Sequence, residues 1–322
     1  MSQPPRTLNQ ADTAAATPTY VERRHAEHLY LPVRGLRYHV HRWGDQAPAG
    51  TVPLVLMHGW MDVGASFQFL VDALAEAEGL DRCVYAPDWR GFGRTAAPPG
   101  TDTYWFPDYL ADLDALLDHI APGGQVDLLG HSMGGNVVMS YAGLRPERVR
   151  RLINLEGFGL PETRPEQAPN RLLQWLDELK SHAELKAYPD AEAVAARLMK
   201  TNPLLAADKA RWLATRWAEP QADGQWHLLA DPAHKHANPV LYRKEEVLAT
   251  WRRIQAPLLW AEGNLTDLTR WWGTRYTRAE FETRLAEVPK VERLLLEPCG
   301  HMLHHDQPIP LAFRMTDFLS GR

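Results

Sequence analysis

The sequence predicts an α/β protein whose sheet is mainly parallel and covered by helices on both faces. Two observations carry this. From residue 52 onward, short apolar runs at 54–57, 83–86, 126–129, 152–155, 258–260 and 293–296 alternate with amphipathic stretches. Short, largely apolar runs of that length are what strands buried on both faces show. Between them, apolar residues recur at helical spacing, as with Phe67, Leu70, Val71 and Leu74, a helix that the pattern ends near Gly79, and with Leu113, Leu116, Leu117 and Ile120. Upstream, two extended segments near 28–33 and 36–43 meet at Arg34-Gly35. In the second, Leu36, Tyr38 and Val40 alternate with Arg37, His39 and His41, the signature of a strand with one polar face.

Composition narrows the function classes. At 322 residues the chain has room for one large domain, or for a core with an insertion. No apolar stretch approaches the roughly 18 residues of a membrane helix. A net charge of −5 argues against a general nucleic-acid surface. Two cysteines, Cys83 and Cys299, make no disulfide framework, and the first ten residues carry no secretory pattern; both suit a cytoplasmic location. Residues 1–20, rich in Ala, Thr, Pro and Gln, read as a flexible tail.

The strand–helix rhythm breaks between 157 and 256, where the chain turns helical and tryptophan-rich, and returns at Pro257. This divides the chain into a core of 21–156 and 257–322 and a helical cap of 157–256 lying over the active edge of the sheet. The cap holds Trp175, Trp212, Trp217, Trp226 and Trp251, and Trp271 and Trp272 follow Asp267; all are candidates for an aromatic-lined pocket, while a polar group in the cap, His234, Lys235 and His236, reads as solvated surface.

The strongest chemical signal is Gly130-His131-Ser132-Met133-Gly134, placed directly after an apolar strand and before a helical run. That context is the one a G-x-S-x-G nucleophile elbow needs: small residues permit a tight strand-to-helix turn that lifts the serine above the sheet edge, at the positive end of the helix. With this motif the chain resembles the α/β-hydrolase fold family over about residues 25–320. The resemblance implies a mostly parallel sheet of about eight strands and a serine nucleophile, Ser132. His58-Gly59-Trp60 matches the family's HG-x turn, which implies an oxyanion hole formed by the backbone N–H groups of Trp60 and Met133. Asp88-Trp89-Arg90-Gly91-Phe92-Gly93-Arg94 resembles its D-x-R-G-x-G-x loop, in which Asp88 and Arg90 are structural. Gly300-His301 stands where the family carries its base.

The acid is less clear. The family pattern P-x-L-x-x-x-G-x-x-D runs here from Pro257 to Thr266, with the aspartate one residue late, at Asp267. Asp267 is the favoured acid. Glu156, after the preceding strand, is the alternative, since some members carry the acid there. Ser, His and carboxylate imply acyl transfer through an acyl-enzyme, on a small-molecule substrate that is partly apolar. A carboxylesterase is the leading reading; lactone, thioester, amide or diketone cleavage and acyl transfer use the same triad. Ser132 at the elbow departs from haloalkane dehalogenases and epoxide hydrolases, which carry an aspartate there. The spacing of His301, His304, His305 and Asp306 matches no strong zinc pattern, so neither a metal nor an organic cofactor is expected.

Overall fold

A computed structural model describes residues 19–44, 48, 50–77, 82–181 and 183–322. Gly79 and most of the expected N-terminal tail lie outside the described residues. The elements in chain order begin with β1 (Glu27–Val33), β2 (Leu36–Trp43), β3 (Leu54–Met57), α1 (Gln68–Glu76), β4 (Val84–Pro87), α2 (Phe106–Ile120), β5 (Val126–His131), α3 (Met133–Leu144) and β6 (Val149–Leu155). Then come α4 (Ala168–Glu178), α5 (Ala191–Thr201), α6 (Ala207–Trp217), the hairpin β7 (Ala218–Pro220) and β8 (Trp226–Leu228), and α7 (Lys244–Trp251). The chain closes with β9 (Leu258–Gly263), α8 (Leu268–Trp272), α9 (Arg278–Leu285), β10 (Val291–Leu296), α10 (Leu303–Asp306) and α11 (Pro308–Ser320).

Eight strands form one sheet in the order β1-β2-β4-β3-β5-β6-β9-β10. β2 runs antiparallel to both β1 and β4, and the other pairs are parallel. This is the expected architecture. Period-two alternation divides the core into two layers. Val55, Met57, Leu128, Leu152 and Trp260 point to one side, against α2, α3, α7 and α9. Leu54, Leu56, Leu129, Ile153 and Leu259 point to the other, against α1 and α11. Among the described residues no helix is long and apolar enough to cross a membrane.

Two segments depart from the sequence pattern. The polar face of β2 is not solvated: His39 is 1% and His41 7% exposed, packed near the turn 64–67 and Asp88. The segment 157–256 also divides. α5, α6 and the β7–β8 hairpin build a separate apolar cluster on Val63, Ala65 and Phe69, with Trp212 at its centre. α4 buries none of its residues and leaves Leu172, Leu173 and Leu176 exposed. α7, in contrast, packs on α3 in the sheet core, where Trp251 is fully covered. Trp251 is therefore a core residue rather than part of the layer that holds Trp212. His234 is equally unlike the solvated group expected of it. It is buried, with its ring stacked between Phe92 and Tyr104 at centroid distances of 3.7 and 3.6 Å.

The α3–α7 contact is tight because Gly143 has no side chain: a Cβ there would lie 1.9 Å from the Thr250 carbonyl oxygen. Helix propensity alone favours alanine over glycine by about 1 kcal/mol, whereas forcing a methyl group into a packed contact costs about 1–3 kcal/mol. Gly143→Ala is therefore expected to lower the melting temperature. A rise in calorimetry would mean that α7 does not sit on α3 as described.

Candidate active site

The register of the parallel strands assembles the site. His131 of β5 pairs with Leu155 of β6, and Leu155 with Ala261 of β9, so the next residues, Ser132 and Glu156, emerge side by side at the carboxyl edge. Both have φ of 53°, a left-handed conformation that is strained for a residue with a side chain. The turns are held by main-chain bonds: Ser132 N–H donates to Leu155 O at 2.8 Å and Glu156 N–H to Ala261 O at 3.2 Å. The glycines of the elbow follow from the same compression. A Cβ on Gly130 would lie 2.3 Å from Gly134 O, and one on Gly134 would lie 2.2 Å from Met57 O. Gly59 approaches so closely that a Cβ there would stand 3.2 Å from Ser132 Cβ.

His301 lies on the loop between β10 and α10. Its Nδ1 is 2.6 Å from Glu156 Oε2. The same carboxylate accepts the Gly263 N–H on Oε1 at 2.7 Å and the Thr266 hydroxyl on Oε2 at 2.9 Å. Burial pushes the Glu156 carboxyl up, and the Gly263 and Thr266 donors oppose that rise. Burial also holds the His301 imidazole down, to about 4, so that it is neutral at physiological pH and donates its Nδ1–H to the carboxylate.

The loop carrying His301 is tied down on both sides. His131 Nε2–H donates to the His301 carbonyl at 2.8 Å. Asp306 accepts the Gly300 N–H at 2.9 Å and is itself bound by Asn202, at the end of α5. Trp271 sets its ring edge-on to His301 with centroids 4.7 Å apart.

Asp267 is not brought to His301. It is exposed and caps α8, accepting the Thr269 N–H at 2.9 Å and the Thr269 hydroxyl at 2.6 Å. The extra residue in the loop places Thr266 where the family pattern has its acid, and the Thr266 hydroxyl donates to Glu156 instead. Of the two carboxylates the sequence offered, the structure pairs Glu156 with the histidine. Trp60 lies in the turn after β3, 52% exposed, with its indole N–H on His234 O at 3.3 Å. Met133 opens α3, where the first helical N–H groups have no partner in the helix. His58 is wholly buried beneath this turn. Its Nε2 accepts the Trp89 N–H at 2.9 Å and its Nδ1–H donates to Gly59 O at 2.8 Å, so both ring nitrogens are engaged in holding the turn.

Sequence reasoning missed the loop supports His131 and Asp306, and Thr266 as a donor, whereas Trp271 was among the aromatic candidates. Only Thr266 carried a signal: a hydroxyl at the family's acid position implies a carboxylate nearby to receive it.

A family model described as the alpha/beta hydrolase fold matches residues 52–308, and the chain belongs to this family of hydrolases. It is 27% identical over 313 residues to a serine hydrolase-like protein of Danio rerio, covering 94% of this chain and 90% of that one. It is 29% identical over 299 residues to the 3-hydroxybutyrate-oligomer hydrolase of Cupriavidus necator, covering 87% and 92%. A thioesterase domain from the curacin biosynthetic pathway superimposes with a TM-score of 0.76 at 24% identity, over 90% of this chain and 99% of that one.

Two outcomes are expected of this geometry. Glu156→Gln lowers kcat by about 10³- to 10⁴-fold, because the imidazole loses the partner that holds its tautomer, while Asp267→Asn changes it by less than about threefold; the opposite ranking would return the role to Asp267. In the pH profile of kcat/KM, the base works only when neutral, so activity is lost as pH falls through the His301 value. The acid limb is therefore expected below the ordinary histidine value of about 6.5. An acid limb at or above that value would contradict the desolvation of the His301 imidazole.

Proposed function

We propose that the protein is a serine hydrolase that cleaves a carboxylic ester or a related acyl compound through Ser132, His301 and Glu156. The observation that carries this reading is the 2.6 Å contact between Glu156 and His301 Nδ1, on the strand next to a serine held at a strained elbow. The similarity to a 3-hydroxybutyrate-oligomer hydrolase supports a hydrolytic reaction.

His301, oriented by Glu156, takes the proton of Ser132 Oγ as that oxygen attacks the substrate carbonyl carbon. The oxyanion forms against the main-chain N–H groups of Trp60 and Met133. The carbonyl re-forms as the bond to the leaving group breaks, and His301 Nε2–H returns its proton to that group. A water, deprotonated by His301, then attacks the acyl-enzyme and releases the acid and free Ser132. Glu156 stabilises the transient imidazolium throughout. The steps need neither a metal nor an organic cofactor.

The substrate side is read from exposure. Trp60, in the oxyanion turn, and Trp271, on the His301 ring, are 52% and 42% exposed. Large apolar surfaces beside reacting groups favour an apolar acyl or alcohol portion. The cap over this edge is proposed to comprise 157–243, because α7 belongs to the core.

A panel of short- and medium-chain p-nitrophenyl esters, lactones and diketones, with a fluorophosphonate probe, tests the proposal. Wild type is expected to turn over esters and take the label. Ser132→Ala is expected to lose about 10⁴-fold or more in activity and all labelling while keeping its fold. Equal labelling of the alanine variant would assign the nucleophile elsewhere, and turnover confined to diketones would replace ester cleavage with C–C cleavage.

A further inference from the structure

The β1–β2 hairpin carries three histidines that the hydrolytic site does not use. His39 and His41 are two residues apart on β2 and so project to the same face. His28 on β1 pairs directly opposite His41. The other face of the hairpin is the apolar one, with Leu36, Tyr38 and Val40 against Leu116 of α2. One ring nitrogen from each histidine lies within 4.8 Å of the other two, and His28 Nδ1 and His39 Nε2 are 2.9 Å apart.

The proton placement of His39 is set by its second nitrogen. His39 Nδ1 is 2.7 Å from Asp88 Oδ2. This carboxylate accepts the Arg94 N–H on the same oxygen and the Gly64 N–H on the other. The carboxylate accepts, so His39 carries its proton on Nδ1, and its Nε2 lone pair accepts the His28 Nδ1–H, a proton that a metal ion bound between the two rings would replace. His41 is 7% exposed and has no hydrogen bond among the described residues; it is surrounded by the rings of His28, His39 and Trp43. His28 is exposed, so the group opens to solvent.

We infer that His28, His39 and His41 form a binding site for a divalent transition-metal ion of the zinc type, with its fourth position open to water. Three imidazoles and an open position are a donor set that zinc accepts in tetrahedral geometry. At Zn–N distances of about 2.0–2.1 Å, neighbouring nitrogens stand about 3.3 Å apart. The His28–His39 pair is already near that spacing, and the third nitrogen closes it by ring rotation. The Asp88–His39 pair supplies the carboxylate that commonly orients a metal-bound histidine from behind. No carboxylate belongs to the donor set, which disfavours calcium and magnesium. A cation here meets Asp88 and Glu22 as attracting charges and Arg94 as a repelling one. A second cluster, Asp62, His131 and His304, offers two imidazoles and a carboxylate but is wholly buried beneath the His301 loop. The hairpin site stands independently of the hydrolytic reading.

The test uses the full-length protein, stripped with a chelator and dialysed. Zinc is titrated by calorimetry, and cobalt is added to read the visible bands of a four-coordinate site. Wild type is expected to bind one equivalent per chain and to melt at a higher temperature with zinc. His28→Ala, on the exposed edge strand, and His41→Phe, which keeps an aromatic ring in the packing, are each expected to weaken binding by at least about tenfold. Both should retain wild-type circular dichroism. His227→Ala, on the surface elsewhere, should bind as wild type. Failure of wild type to bind stoichiometrically, or undiminished binding by both folded variants, would overturn the site.

Discussion

The hydrogen bond between Glu156 and His301 is the constraint around which the carboxyl edge of the sheet is organised. It joins the end of β6 to a loop 145 residues further along the chain, and it forms only if several other conditions hold. β5, β6 and β9 must keep their parallel register, so that Ser132 and Glu156 leave neighbouring strands at the same height. Both residues must accept a left-handed backbone, which turns each side chain out of the strand direction. Gly263 must lie close beneath the loop, since a Cβ there would come within 2.4 Å of Cys299 O. A carboxyl group buried this deeply is stable only with its hydrogen-bonding capacity filled, and Gly263, Thr266 and His301 fill it.

A layer of neutral, buried histidines supports the base from the other side. His131 holds the His301 carbonyl, and the Ser66 hydroxyl stands between His304 and His305 at 3.0 and 2.8 Å while contacting Asp62. Burial holds His305 down to about 3, so its imidazole packs as a neutral group, and pushes the Asp62 carboxyl up to about 7.

The fold, the sharp turn at Ser132 and the place of His301 after the last strand were legible in the sequence because each is a local pattern. Continuous apolar runs mark strands covered on both faces, and a serine between glycines at a strand-to-helix junction has few other uses. The acid was not legible in this way. A motif read along β9 sees Asp267 in the right neighbourhood, but it does not see that one added residue turns that carboxylate outward to cap α8, nor that the next strand delivers Glu156 to the same point. Glu156 remained an alternative on the strength of its place after β6, and geometry across strands raised it to the first position. The polar face of β2 misled for a related reason. Alternation predicts a solvated face, yet the covering groups, the turn 64–67 and Asp88, arrive from distant segments. Trp251 and His234 show the same limit: helical spacing and polarity do not reveal whether a segment between strands packs over the sheet edge or against its core.

The central claim is that Glu156 acts on the reaction through His301 and not by a route of its own. The direct test is a double-mutant cycle on kcat/KM with wild type, Glu156→Gln, His301→Ala and the double variant. Residues that act as one unit are strongly non-additive. The account predicts that Glu156→Gln, costly in wild type, costs nothing further once His301 is alanine. Losses that multiply in the double variant would contradict it.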